Sequence, residues 1–440
     1  MKRLAAIIAA AALLVGCAED RSEILKVYNW STYIDEEVLP DFEQWYEEQT
    51  GEKIRVIYQT FDINEAMLAK IEKGHEDYDL VCPSDYIIER MLRSDLLLPL
   101  NRDFGDTPNY IDPNLSPFMR EAFNMIDGRG KNANDYSVCY MWGTTGTLYN
   151  AKYVSDEEAS TTDVIHNPKF KDKILVKDAA RDIYGPVLIY LRQDDLKAGR
   201  VTQNELMYDS SDESLAEFEA YMKEVSEIVA GWEADFGKEH MTQEHFWINF
   251  TWSGDAVWAI EEAAELGVDL RYEVPKEGST FWFDGWVIPK YAKNVKAASY
   301  FINFMCRPDI MVRNVDVTGY VSSSCSREVL ESQIDSTYDA VDLSYFFTPA
   351  DTAVHVNPVM YPDKSVMERC TLEHDWGDET EKLIATWSRI KGQNANLMTL
   401  IVIALFLAVL VALAVEKRVR MARRRSGRSG RRRKKKSGRK

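Results

Sequence analysis

The sequence predicts an α/β fold made of two lobes with a ligand cleft between them. Three observations predict it. Strand-like and helix-like patterns alternate from residue 25 to residue 82, which calls for a parallel sheet with helices on both faces. Two extended pieces with a Gly- and Thr-rich turn between them, over residues 136–150, then carry the chain across to a second lobe. Aromatic and acidic residues recur together at strand and loop ends far apart in the chain, which is where α/β sheets bind ligands.

At the start, Lys2 and Arg3 precede an apolar run over residues 4–15, too short for a stop-transfer span and shaped like a secretory signal. The run ends in Leu14-Val15-Gly16-Cys17, which resembles a bacterial lipobox. Residues 1–17 therefore read as a lipoprotein signal peptide, with Cys17 the acylated residue. One acyl chain anchors only marginally, so stable attachment calls for a second device.

The first strand lies at the head of the stretch Leu-Lys-Val-Tyr-Asn-Trp-Ser-Thr-Tyr-Ile, residues 25–34, which alternates and then gathers Trp30, Ser31 and Tyr33. Residues 35–49 follow as a helix closed by Gly51, residues 53–58 as a strand, and Asn64 caps a helix running to Lys73. A short buried strand over residues 78–82 delivers Ser84 and Tyr86 beside the first loop. In the second lobe, residues 173–177 form a strand and Asp182 lies in the opening turn of the next helix; residues 203–232 read as acidic and helical. Trp252 and Asp255 stand at the mouth of a helix over residues 256–266. After a strand over residues 269–274, Trp282 and Asp284 project to one side of an extended segment. A ring and a carboxylate aimed together suit an ammonium group.

Enzyme chemistry finds little support. The chain shows no phosphate loop, nucleophile elbow or dinucleotide fingerprint, and His240 and His245 have the wrong spacing for a metal site. No catalytic residue, metal or cofactor is expected. Cys82, Cys139, Cys306, Cys325 and Cys370 show no C-x-x-C pairing; their odd number in an exported chain allows one or two disulfides and at least one free thiol.

Residues 397–415 carry no charge, Pro or Gly and, at about 1.5 Å per helical residue, come to about 28 Å, close to the thickness of a hydrocarbon core. They read as a transmembrane helix, followed by a basic tail over residues 416–440 that the positive-inside rule makes cytoplasmic. Setting that tail aside, the formal net charge of -18 becomes about -32 for the rest. Such an acidic body argues against nucleic acid as a partner and accords with cationic ligands.

Taken in order, residues 27–33, Tyr58-Gln59-Thr60-Phe61-Asp62 with Asn64-Glu65, residues 78–84, residues 140–146 with Tyr149-Asn150, and Val274-Pro275-Lys276-Glu277-Gly278 resemble the polyamine-binding (spermidine/putrescine) proteins of bacterial ABC transporters. The resemblance implies a two-lobe periplasmic binding protein fold, type II-like, in which carboxylates hold the amines and rings sandwich the methylenes. It implies lobe 1 over residues 25–138 with a return segment over 281–315, and lobe 2 over residues 139–280 with 316–391. The implied ligand residues are Trp30, Ser31, Tyr33, Ser84, Tyr86, Asp182, Trp252, Asp255, Trp282, Asp284 and Tyr320. Thr32 stands where the family usually has an acid, Cys139 where it commonly has Pro, and the C-terminal membrane helix is unusual for it.

The expected function is thus that of an extracytoplasmic receptor on the periplasmic side of the inner membrane, anchored there by lipid and helix. As a monomer it would bind a small polyamine and deliver it to an inner-membrane ABC permease. A membrane-bound sensor of polyamines or small cations on the same fold, signalling through the membrane helix, is the first rival. A glycoside-cleaving enzyme using Asp255 and Asp284 is the second.

Overall fold

The computed structural model describes residues 21–347 and 352–392. The expected signal peptide with Cys17, the membrane span at 397–415 and the basic tail at 416–440 lie outside the described residues. Among the described residues no helix is long and apolar enough to cross a membrane. The chain divides into two compact units, residues 1–386 and 387–440, and the site lies within the first.

Chain order produces the first layer of the sheet. β1 (Ile24–Trp30) lies between β2 (Arg55–Phe61) and β3 (Leu80–Val81), parallel to both, with Val27 opposite Tyr58 and Leu80. Both faces are covered, as the alternation predicts. Leu25 and Val27 pack with Val38 and Phe42 of helix α1 (Val38–Thr50), while Tyr28 and Val81 pack with Met67 and Ile71 of α2 (Asn64–Glu72) and Ile88 of α3 (Asp85–Arg93). Gly51 ends α1 in the left-handed conformation, φ +72°, and its N–H donates to Glu47 O at 2.8 Å.

Asn64 does not cap α2 as expected. Ile63 is the capping residue, with no side-chain cap bond, because the Asn64 amide turns inward and donates to Ser84 Oγ and Tyr86 Oη.

Twelve strands of the described residues join in one sheet. After β4 (Leu97–Leu98) comes β5 (Ser137–Asn150), and it corrects the sequence reading: the chain does not turn at residues 143–146 but runs as a single strand of 14 residues, every one buried. Gly143 and Gly146 are there for close approach. A Cβ at Gly143 would lie 2.7 Å from the Trp282 ring, and one at Gly146 would lie 2.7 Å from Tyr272 Oη.

The strand also bridges two regions. Its first half pairs antiparallel with β10 (Ser279–Pro289), and its second half with β8 (Ile248–Trp252) and β9 (Leu270–Glu273). Beyond it, β6 (Ile174–Lys177) is parallel to both β7 (Gly231–Glu233) and β8. The acidic stretch 203–232 is not one helix: it breaks into helices at Gln203–Met207 and Asp212–Ser226 and ends in β7.

The C-terminal stretch ties the parts together. Phe346 stacks on Trp142 at 5.4 Å, and its carbonyl accepts from Ser116 Oγ at 2.7 Å. His374 hydrogen-bonds Glu89 of α3 at 3.1 Å and Asn204 at 3.0 Å.

No disulfide is present among the described residues: Cys82, Cys139, Cys306, Cys325 and Cys370 are all free. Cys82, Cys139 and Cys306 are packed inside the apolar cores, where burial raises their thiols and they serve as small hydrophobes.

Candidate functional site

The carboxyl ends of β1 and β3, the middle of β10 and the end of β8 converge. β10 shifts register between Asp284 and Gly285. That irregularity aims the Asp284 carboxylate at the neighbouring loops. Its Oδ1 accepts from Ser84 Oγ at 2.7 Å and its Oδ2 from Tyr33 Oη at 2.8 Å. Asp284 is only 5% exposed, and burial, opposed by those two hydroxyls and reinforced by the charge of Asp182, pushes its carboxyl up to about 7.

Aromatic rings wall this carboxylate. Tyr33 meets Tyr320 edge-on at 5.1 Å, Tyr320 meets Trp282 at 5.6 Å, and Trp282 meets Trp252 at 6.3 Å. Trp30 closes the series, 6.5 Å from Trp252. The indole N–H of Trp282 is buried without a hydrogen-bond partner, while the Trp30 side chain helps hold the charge of Asp284. Trp252 instead donates to Asp182 Oδ1 at 2.9 Å. Burial raises the Asp182 carboxyl to about 6. Half-buried Trp30, Ser84, Asp182 and Trp252 form the accessible lip, with Asp284, Trp282, Tyr33 and Tyr320 behind it.

Tyr86 joins from a second side, donating to Glu65 Oε1 at 3.2 Å. Ser31 does not join through its side chain: it is exposed and bonds through its backbone N–H to Phe61 O at 3.3 Å. Beside it Thr32 takes φ +51°, so the loop turns there under strain.

Asp255 reaches the site, but its oxygens are engaged. Lys177 donates to Oδ2 at 2.5 Å and Tyr320 to Oδ1 at 3.1 Å, with Lys238 at 3.5 Å from Oδ1. Burial alone would raise this acid; Lys177 and Lys238 outweigh it and hold Asp255 below the ordinary carboxylate range. Gly254 leaves room for the arrangement, since a Cβ there would sit 2.3 Å from the Tyr320 ring.

Sequence reasoning missed Asp85, Glu373 and Lys177. Asp85 and Glu373 are buried acids whose carboxyls burial pushes well above the usual range, with Asp182 contributing to both. Arg181 and the Thr280 hydroxyl oppose that shift at Glu373. Asp85 stood in plain view beside Ser84. Glu373 lies just past a distant strand, Cys370–Leu372, with no local pattern to mark it.

Among the described residues no Lys or Arg forms an ion pair with Asp182, Asp284, Asp85 or Glu373. Acids held out of water beside indoles suit a cation with apolar segments, which can give charge-assisted hydrogen bonds to the carboxylates and rest its apolar part on the rings. No group of three or more metal-ligating side chains is present among the described residues.

Comparison with known proteins agrees with this chemistry. The profile of the bacterial extracellular solute-binding protein family matches residues 44–333. The chain is 26% identical over 381 residues to the spermidine/putrescine-binding periplasmic protein of Salmonella typhimurium, covering 84% of this chain and 93% of that protein. To the putrescine-binding periplasmic protein PotF of Escherichia coli it is 27% identical over 325 residues, covering 71% and 81%. The solved structure of the spermidine/putrescine ABC transporter substrate-binding protein PotD of Streptococcus pneumoniae superposes with a TM-score of 0.61 at 30% identity, over 85% of this chain and 100% of that one. The chain belongs to the bacterial extracellular solute-binding protein family, whose members bind solutes rather than transform them.

Proposed function

We propose that this chain is the polyamine-binding component of an ABC importer, taking up putrescine- or spermidine-like cations outside the cytoplasm and passing them to an inner-membrane permease. The observation that carries this reading is the pair of acids, Asp284 and Asp182, that share one aromatic-lined site and have no basic partner among the described residues. A di- or trication is costly to desolvate, so each nitrogen needs a charge-assisted hydrogen bond in return. Between nitrogens, burial of each methylene against Trp30, Trp252 and Trp282 contributes roughly 0.8 kcal/mol. The names of the relatives, spermidine/putrescine-binding and putrescine-binding, support the same ligand class.

Ligand-facing roles fall to Trp30, Tyr33, Ser84, Tyr86, Asp182, Trp252, Trp282 and Asp284, with Glu65 and Glu373 in support. Asp255 and Tyr320 act from behind the rings. The lobes close as hinged bodies about β5 and β10, and the ligand favours the closed form by bonding both sides. Lobe 1 is taken as residues 25–138 with 281–315, and lobe 2 as residues 139–280 with 316–391. Acylation of Cys17 and a span at 397–415 hold the monomer at the periplasmic side of the membrane, with residues 416–440 in the cytoplasm.

Isothermal titration of the purified full-length chain with putrescine and with spermidine tests the proposal. Binding at micromolar affinity or better, about -8 kcal/mol, is expected for at least one. Absence of binding by both overturns it.

A further inference from the structure

His240 and His245, five residues apart, share no helical face, yet the structure brings their rings together. The helix Gly237–Thr242 is followed by a left-handed residue, Glu244, at φ +57°. Around it the Glu244 N–H donates to Met241 O and the His245 N–H to His240 O, both at 3.1 Å. This way of closing a helix folds the chain back so that side chains five apart meet, and its left-handed position usually falls to glycine or asparagine. Here a glutamate takes it, held by Lys152 Nζ and Asn150 Nδ2, each 3.2 Å from its Oε1.

The two Nδ1 atoms lie 2.9 Å apart. Phe236 and Phe246 pack edge-on against the His240 ring, at 5.5 and 5.8 Å, while the His245 ring is exposed. One imidazole is therefore steadied and the other can turn. In the pair as it stands, one Nδ1 hydrogen bridges to the lone pair of the other. With that hydrogen moved to Nε2, each neutral ring presents a lone pair at Nδ1.

Imidazole nitrogens bind first-row divalent ions at ~2.0–2.1 Å, which sets two of them about 2.9 Å apart at a right angle and about 3.3 Å apart at a tetrahedral one. The separation found here is the right-angled one, and tetragonal nitrogen sites favour copper(II) and nickel(II) over zinc. We infer that His240 and His245 form a surface site for a divalent first-row transition ion, copper(II) foremost, with both Nδ1 atoms on the metal and water in the other positions. A swing of the exposed His245 ring aims both lone pairs at one ion. Among the described residues no third His, Cys, Asp or Glu completes a ligand group, so the ion exchanges with solution and does not staple the fold. β8 carries the chain on from this turn to Trp252 over about 13 Å, which separates the metal from the ligand cleft. The inference stands independently of the polyamine reading.

The full-length chain, carrying no affinity tag and stripped with EDTA, is titrated calorimetrically with nickel(II), which spares the free thiols from oxidation. Electron paramagnetic resonance of the chain with substoichiometric copper(II) then counts the coordinated nitrogens. One nickel ion per chain is expected, with two imidazole nitrogens in the copper signal. His240→Gln and His245→Gln should each weaken nickel binding at least tenfold and remove a nitrogen from that signal. His166→Gln, which deletes an imidazole elsewhere on the chain, should change neither reading, and Glu244→Gly, which restores the usual residue of the turn, should keep the site. Circular dichroism checks the folding of each variant; should His240→Gln unfold, the exposed His245→Gln carries the test alone. Nickel binding no tighter in the wild type than in the double variant His240→Gln/His245→Gln, a copper signal that the double variant leaves unchanged, or an equal loss in His166→Gln would mean an adventitious ion only and overturns the inference.

Discussion

Replacing Asp284 with asparagine separates what the carboxylate does for a ligand from what it costs the fold. In the wild type the carboxyl is 5% exposed and pushed from the ordinary 3.8 to about 7. The folded chain thus holds this proton more tightly than the unfolded chain. The group's contribution is most favourable at low pH and is lost as pH rises from 3.8 through about 7. At pH 8, where it is ionised in both states, the loss comes to roughly 4 kcal/mol. Asparagine keeps an oxygen to accept one of the hydroxyls of Ser84 and Tyr33 and an amide to donate to the other, but it carries no charge. The unliganded Asp284→Asn variant should therefore be more stable than the wild type at pH 8, by as much as about 4 kcal/mol, and equal to it near pH 4. Its affinity for putrescine should fall by about 1.5 to 3 kcal/mol, roughly 10- to 150-fold, because a charge-assisted bond to an amine is gone. Denaturant melts at both pH values and calorimetric titration at pH 8 read the two quantities. A variant that is less stable at pH 8 and binds as tightly as the wild type would refute the reasoning.

Three further outcomes follow from the same contacts. Ligand amines need ionised partners, and Asp284 and Asp182 are raised to about 7 and about 6, so affinity should climb from pH 5 and level off above pH 7, with protons released on binding; titration in buffers of different ionisation enthalpy detects the release. Trp252→Phe keeps a ring but deletes the N–H that bonds Asp182 at 2.9 Å, which should weaken putrescine binding by about 1 kcal/mol, near fivefold, in the same titration. Phe346→Ala empties a fully buried position stacked on Trp142 and should cost about 3 to 5 kcal/mol in a denaturant melt while the folded variant still binds.

What was legible in the sequence was local. Alternation along residues 25–30 specifies a strand, Gly51 specifies a left-handed stop, and the aromatic and acidic residues at strand ends mark the loops that converge. Gly143 and Gly146 misled because glycines beside threonines read as a turn. Their reason is long-range: they accept the Trp282 ring and the Tyr272 hydroxyl against the backbone of a continuous strand. In the sequence Asp255 reads as an amine ligand because nothing near it shows Lys177, which comes from 78 residues earlier and pairs with it. A lysine at a strand end ordinarily faces water. Only the pairing of β6 between β7 and β8 brings Glu233 and Asp255 close enough to bury it.

A crystal structure of the chain grown with putrescine tests the central claim most directly. The diamine is expected with one nitrogen within hydrogen-bonding distance of Asp284, the other near Asp182, and its methylenes against the rings of Trp252 and Trp282. Putrescine bound elsewhere, or a site left empty at saturating concentration with these side chains turned from one another, would contradict it.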